Sequence, residues 1–318
     1  VWELKLPKNA LKDGDLYKML VYWPGGSGER IPAYAQRVVQ DSATGIFSAQ
    51  VYDPADPYRF KIDNFTPDTK PLLIYECHIG MAQEKEAVGS YDEFRIKILP
   101  RIHKDGYNAI QIMAIQEHPY YASFGYHVSS FYAATSRFGT PDDLKRLIDE
   151  AHSMGIAVIM DIVHSHSVKN EAEGLARLDG TTDLYFYPGP RGRHPAWDSL
   201  CFDYGKNSVL HFLLSNCKYW LEEFRFDGFR FDGVTSMLYY DHGLGKSFCS
   251  YKDYYDGAQD TAAITYLTLA NILIHEVNPK AITIAEEMSG MPGLAMSYDE
   301  GGIGFDYRMA MGIPDYWI

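Results

Sequence analysis

Carboxylate residues in this 318-residue chain recur where an apolar run ends. Asp161 interrupts IAVIMDIV, Asp232 closes RFDGFRFD, and Glu286 follows ITIA. Burying such a group is costly unless a cation or hydrogen-bond donors meet it. Arg230 lies two residues before Asp232, and alternation along an extended segment puts both side chains on one face. From there Arg230 is placed to pair with Asp232 or Asp161. A neighbouring guanidinium lowers a carboxyl pKa, so Asp232 is expected to ionise easily, as a nucleophile must. A glutamate at the end of an apolar strand is expected to hold its proton more tightly, as a general acid must. Carboxyl groups divided in this way describe retaining glycosidase chemistry, which sets them ~5–5.5 Å apart. A structural ion pair at the rim of a sheet is the plainer alternative.

Arg-Phe-Asp-Gly occurs twice, at 225–228 and 230–233. The offset of five is odd, so Asp227 turns away from the side that receives Asp232, and the two copies cannot share one task. One set is chemistry and the other scaffold. The stretch HSH offers a different chemistry, because His164 and His166 on one strand could ligate zinc. Such sites need further histidines at later strand ends, and none is found near Asp232 or Glu286. His166 is therefore read as a partner for a substrate hydroxyl and His164 as packed, with no metal and no organic cofactor implied.

These residues must be positioned by a repeated grammar of helix followed by apolar strand. In TPDDLKRLIDEAHSMG, Thr140 caps, Pro141 opens the helix, Asp143 completes a capping box, and Leu144, Leu147, Ile148 and Ala151 form one face. IAVIMDIV follows, apolar on both faces as a covered parallel strand must be. The pattern recurs at SYDEFRIKILPRIHKDG with YNAIQIMAIQEH, at NSVLHFLLSNCKYWLEEF with RFDGFRFDGV, and at DTAAITYLTLANILIHEVNP with AITIAEE, after an initial strand in PLLIYECHIG. Polar residues gather at the strand ends: Gln116 and Glu117, Asp161, Asp232, Glu286. This predicts an α/β fold of the (β/α)8 TIM-barrel type. A doubly wound sheet is the rival, but it would carry a glycine-rich phosphate turn after the first strand, and HIGMAQEKEAVGS has none. An insertion at about 164–205, rich in aromatics, Gly and Pro, is expected beside the cleft. Residues 1–70 read as separate and β-rich, with KMLVYW and GIFSAQVY as strands and GGSG as a turn.

The net charge of −13 opposes binding to nucleic acid or anionic membranes and suits a neutral polymer such as a carbohydrate. No run approaches the ~18 apolar residues of a membrane helix. Four cysteines lie far apart without a C-x-x-C pair, as thiols in a reducing cytoplasm would.

Along essentially its whole length the chain resembles glycoside hydrolase family 13, the α-amylase clan, and within it the eukaryotic-type branching enzymes of glycogen and starch. DIVHSH, GFRFDGVTS and AEEMSG are similar to the clan's first three signatures. YYASFGYHVSSFYAATSRFGTP, DGFRFDGVTSMLYYDHGLG and GFDYRMAMGIPDYWI are closer still to the branching subgroup. The resemblance implies Asp232 as nucleophile, Glu286 as general acid/base, Arg230 beside the nucleophile, Asp161 and His166 as the structural and sugar-contacting pair of the first signature, and Tyr126 as the ring that stacks on the sugar. It implies an α-glucan (glycogen, amylose or starch) as partner, transfer of a cut α-1,4 chain to a 6-hydroxyl, and residues 1–70 as the end of a family 48 carbohydrate-binding β-sandwich. An amylase-type hydrolase and a non-catalytic glucan-binding fragment are the alternatives.

The clan's third acid, an aspartate after histidine, has no counterpart after Glu286, and only about six barrel strands are counted before Ile318. The 318 residues are therefore expected to be an excerpt of a longer protein, inactive alone, with residues 71–318 as the first part of the barrel.

Overall fold

The computed structural model describes residues 5–8, 10–67 and 71–316. Its N-terminal part consists of two small antiparallel sheets. Met19–Trp23 pairs with Gly26–Arg30 as a hairpin, and Leu16–Tyr17, Phe47–Gln50 and Val38–Gln40 form a three-stranded sheet with the long strand central. The turn expected over GGSG is narrower than the sequence reading. Gly25, at φ +90°, makes it together with Pro24, and Gly26–Arg30 is already strand. A small cluster of Ile31, Ala35, Val38, Phe47 and Ala49 fastens this part to the rest through Ala133.

From residue 74 onward six parallel strands follow one another: β1 (Ile74–Cys77), β2 (Ala109–Ile112), β3 (Ala157–Ile162), β4 (Gly228–Phe231), β5 (Ile282–Ala285) and β6 (Tyr307–Arg308). Each pairs with the next in the chain, in the unbroken order β1 to β6. A doubly wound sheet reverses its strand order at a switch point, and this one does not. The winding is that of a barrel, and the strands form a half-barrel with helices on its outer side.

The main crossover helices are α1 (Pro141–Ser153), α2 (Asn207–Phe224), α3 (Val234–Leu238) and α4 (Thr261–Val277). Helix α1 begins with the capping box written in its sequence, with Thr140 and Asp143 serving each other's backbone N–H groups, and Gly155 at φ +76° follows its end. The first crossover is less regular. Tyr91–Glu93 runs through a π-turn at Phe94–Ile98 into Leu99–Lys104, because Pro100 has no N–H to continue an α-helical ladder.

Strand alternation separates two cores. Ile112, Val158, Met160, Ile162, Phe229 and Phe231 face the helices, while Ala109, Ala157, Ile159, Ile282 and Ile284 form a smaller cluster of their own on the inner face. Fully burying one such aliphatic side chain contributes about 1.5–3 kcal/mol. At the start of β4 the backbones come very close. Gly228 has φ +152°, and a Cβ built there would lie 1.9 Å from the Ile282 carbonyl oxygen.

The first Arg-Phe-Asp-Gly copy is scaffold. Asp227 is buried, accepts from Val158 N at 2.7 Å, and lies 2.8 Å from His152 Nε2. Arg225 ends α2 in the left-handed region at φ +59°, donates to the Ile62 carbonyl at 2.7 Å, and lies over the Phe60 ring. Those contacts hold the 60–65 segment against the barrel.

Candidate active site

The register of three strands builds the site. Across the parallel ladder Asp161 is paired with Arg230, and Arg230 with Ile284. Partners in register point to one side, and a step of two keeps that side. Asp232 and Glu286, each two residues past this row, therefore rise over the same inner face as Asp161 and Arg230.

One guanidinium gathers all three acids. Arg230 Nη1 lies 2.8 and 2.9 Å from the two oxygens of Asp161 and 2.9 Å from Asp232 Oδ1, and Nη2 lies 3.1 Å from Glu286 Oε1. The Tyr126 hydroxyl donates to Asp161 Oδ2 at 2.7 Å, and Gly233 N donates to Glu286 Oε2 at 2.7 Å. The side chains of Asp161 and Arg230 are 0% and 6% exposed, against 13% for Asp232 and 24% for Glu286. The last two are therefore the pair a ligand reaches.

The charge balance differs from the expectation for Asp232. Burial raises its pKa, and Arg230, Ser165 and a hydrogen bond from Glu286 pull it back only in part. Burial also pushes the Asp161 carboxyl up to about 7 against the pull of Arg230. Burial is the dominant cause, and the one cation, shared among three carboxylates, does not offset it. For Glu286 the apolar surroundings expected from ITIA are absent, since its carboxylate is met by Gly233 N–H and Arg230.

His166 reaches the acids through Ser165, whose Oγ is 2.9 Å from His166 Nδ1 and 3.3 Å from Asp232 Oδ2. Burial lowers the His166 pKa to about 4. His164 is a core residue, with Nδ1 on the Tyr266 hydroxyl and Nε2 on Asn216 Oδ1, so neither ring nitrogen is free for a metal. Among the described residues no three His, Cys, Asp or Glu side chains are grouped to hold a metal ion. Gln116 and Glu117 also stand apart from the site. Gln116 bonds the Phe131 carbonyl, and Glu117 is buried among Thr135, Ser136 and Arg137. Glu287 turns from Glu286, as alternation requires, and gathers the N–H groups of Ser289, Gly290 and Met291.

The 164–205 insertion does lie beside the acids. Its Trp197 packs against His166 with ring centres 4.9 Å apart and stacks on His194 at 3.9 Å. Arg191 from the same insertion sits between the rings of Tyr187 and Tyr240 and binds Asp260, the N-cap of α4, at 2.9 Å. Sequence reasoning missed Ser165, Gly233 and Trp197. Ser165 had a signal, being an even four residues past Asp161, whereas nothing near Trp197 in the chain points to His166.

Known proteins share this fold and part of this sequence. Residues 96–200 match the α-amylase catalytic domain family. The fold is similar to a putative alpha amylase from Salmonella typhimurium, with TM-score 0.66 and 22% identity over 87% of this chain and 41% of that one. It is also similar to the GBS pullulanase SAP solved with maltotetraose, with TM-score 0.62 and 20% identity over 82% and 36%. The chain is thus similar, in part of its sequence and in its fold, to proteins of the α-amylase family.

Within that family its similarity to one group is far greater. It is 49% identical to the 1,4-alpha-glucan-branching enzyme of Aspergillus oryzae, over 100% of this chain and 47% of that protein. It is 50% identical to the enzyme of the same name from Equus caballus, over 100% and 46%, and 49% identical to 1,4-alpha-glucan-branching enzyme 2-2, chloroplastic/amyloplastic, of Arabidopsis thaliana, over 100% and 40%. The chain spans about half the length of the curated relatives it matches.

Proposed function

We propose that the whole protein is a 1,4-α-glucan branching enzyme acting on glycogen, amylose or starch. Asp232 attacks the anomeric carbon of an α-1,4-linked glucose while Glu286 protonates the leaving oxygen, which leaves the cut chain as a glycosyl ester on Asp232. Glu286, now a carboxylate, removes the proton of an acceptor 6-hydroxyl, whose oxygen displaces Asp232 and forms an α-1,6 branch. Arg230 stabilises charge on both acids as it moves between them. Asp161 holds Arg230 from below, while His166 and Tyr126 bind the sugar, the first by hydrogen bonding and the second by its ring face.

The observation that carries this reading is the single guanidinium bridging Asp232 and Glu286, in a chain about half identical to branching enzymes. The two small antiparallel sheets support residues 1–70 as part of a family 48 carbohydrate-binding β-sandwich. Residues 71–318 are then the first part of the catalytic barrel. No helix among the described residues is long and apolar enough to cross a membrane, and the four cysteines are free, which supports a reducing cytoplasm. The half-barrel alone, with β1 and β6 unpaired on their outer sides among the described residues, is proposed not to turn over amylose.

The test is product analysis on amylose with the whole protein. New α-1,6 linkages are expected, falling more than about 10³-fold in Asp232→Asn and in Glu286→Gln. New reducing ends without branches would make it a hydrolase, and unchanged glucan in the presence of tight binding would make it a binding protein.

A further inference from the structure

Ser165 stands between two residues of the cleft. Its Oγ is 2.9 Å from His166 Nδ1 and 3.3 Å from Asp232 Oδ2, and both Ser165 and His166 are buried. Arg230 takes Oδ1 of Asp232, so the Ser165 hydroxyl faces the oxygen that Arg230 leaves.

A hydroxyl carries one proton to donate, and a neutral imidazole carries one N–H. Those two protons allow two arrangements. With the imidazole proton on Nδ1, His166 donates to Ser165 and Ser165 donates to Asp232. With it on Nε2, the bare Nδ1 takes the serine proton, and Asp232 Oδ2 faces an oxygen lone pair with no proton between. The Tyr126 backbone carbonyl also draws a ring proton of His166, so the arrangements compete.

We propose that Ser165 is a positioning residue that couples Asp232 to the tautomer of His166, giving the free Asp232 oxygen a donor only when His166 is protonated on Nδ1. The catalytic meaning rests on the nucleophile reading of Asp232. A sugar hydroxyl donating to bare Nε2 selects the Nδ1–H form, and Ser165 passes that choice on by orienting Oδ2. The number of protons on the three residues is unchanged: the one released from Nε2 passes to solvent and another is taken up at Nδ1. Substrate bound at His166 thereby sets the direction of the nucleophile's lone pairs.

The test reads the ring rather than turnover. Selective 15N labelling of the 11 histidines shows by NMR which ring nitrogen of each is protonated. Asp232→Ala removes the acceptor, so Ser165 turns to His166 and the His166 signals shift toward the Nε2–H form. In a Ser165→Ala background the same Asp232→Ala change is expected to leave the His166 tautomer ratio unmoved. A through-space effect of the lost charge enters both backgrounds equally, so the difference between them isolates the coupling. Equal shifts in both, or none in either, overturn the proposal. Ser165→Cys, a near-isosteric side chain with a weak donor, supplies the same comparison if Ser165→Ala does not fold. Coupling without branching activity would sink the enzymatic reading alone, and branching activity without coupling would sink this inference alone.

Discussion

Asp227 and Asp232 stand at opposite ends of one four-residue strand, β4. At about 3.3 Å per residue they are some ~16 Å apart along it. Asp227 ties α1 and β3 to the base of the sheet through His152 and Val158 N, whereas Asp232 meets Arg230 and Ser165 at the site. Two chemically identical tetrapeptides thus serve the two ends of a barrel stave.

The two aspartates should separate in mutagenesis. Asp227→Ala leaves Val158 N and His152 without their buried partner and is expected to cost about 3–5 kcal/mol, the range for breaking a buried pair. Equilibrium urea unfolding measures it. Asp232→Asn is expected to cost far less stability, because it leaves Arg230 two other carboxylates, while activity of the whole protein is lost.

The buried Asp161 carboxyl gives stability a pH dependence. The Asp161 carboxyl, raised by burial from 3.8 to about 7, keeps its proton in the folded chain where the unfolded chain has lost it. Folding then binds a proton between those limits, so the stability it confers is full at the acid end and declines as pH rises toward 7. The slope is at most about 1.4 kcal/mol per pH unit. Urea midpoints at pH 5 and pH 7 are expected to converge in Asp161→Asn. An unchanged difference would place the titration elsewhere.

Gly233, next to Asp232, has little room for a side chain. Its φ is +63°, and a Cβ would stand 2.9 Å from Trp197 and 3.0 Å from Ser165 Oγ. Gly233→Ala is expected to cost about 1–2 kcal/mol for the left-handed backbone alone. Displacement of the Trp197 indole, read as a change in tryptophan fluorescence, would accompany it.

Arg191 fastens the insertion to α4. Arg191→Ala removes the Asp260 bond and both ring contacts, but its side chain is 46% exposed, so a global effect of no more than ~1 kcal/mol is expected. The local effect should be larger. Faster limited proteolysis within 183–205, at nearly unchanged global stability, is the expected result.

Much of this was legible because it is local. Thr140, Pro141 and Asp143 announce a helix start within four residues, and α2 spans the same eighteen residues as its apolar pattern. The two-residue spacing of Arg230 and Asp232 put them on one face, and the structure joins them. What the chain could not spell were quantities fixed by tertiary neighbours. The proton affinity of Asp232 depends on its burial and on the donors around it, which only the packing of β3, β4 and β5 determines. The setting of Glu286 depends on Gly233 N–H, and Trp197 finds His166 through a fold of the insertion with no local signature. Gln116 and Glu117, read as polar residues at a strand end, do not stand at the end of β2, because β2 ends at Ile112 and both lie on a separate two-stranded ladder.

The close approach at Gly228 has a bearing on how the chain finds its alignment. EFRFDG at 223–228 and GFRFDG at 228–233 differ only in their first residue, so β4 slipped by five positions would offer its neighbours the same arginine, phenylalanines, aspartate and glycine. Such a frame error would carry Glu223 into the space now held by Gly228, where any Cβ would collide with the Ile282 carbonyl. One hydrogen atom in place of a side chain thus arbitrates between two otherwise equivalent threadings of β4.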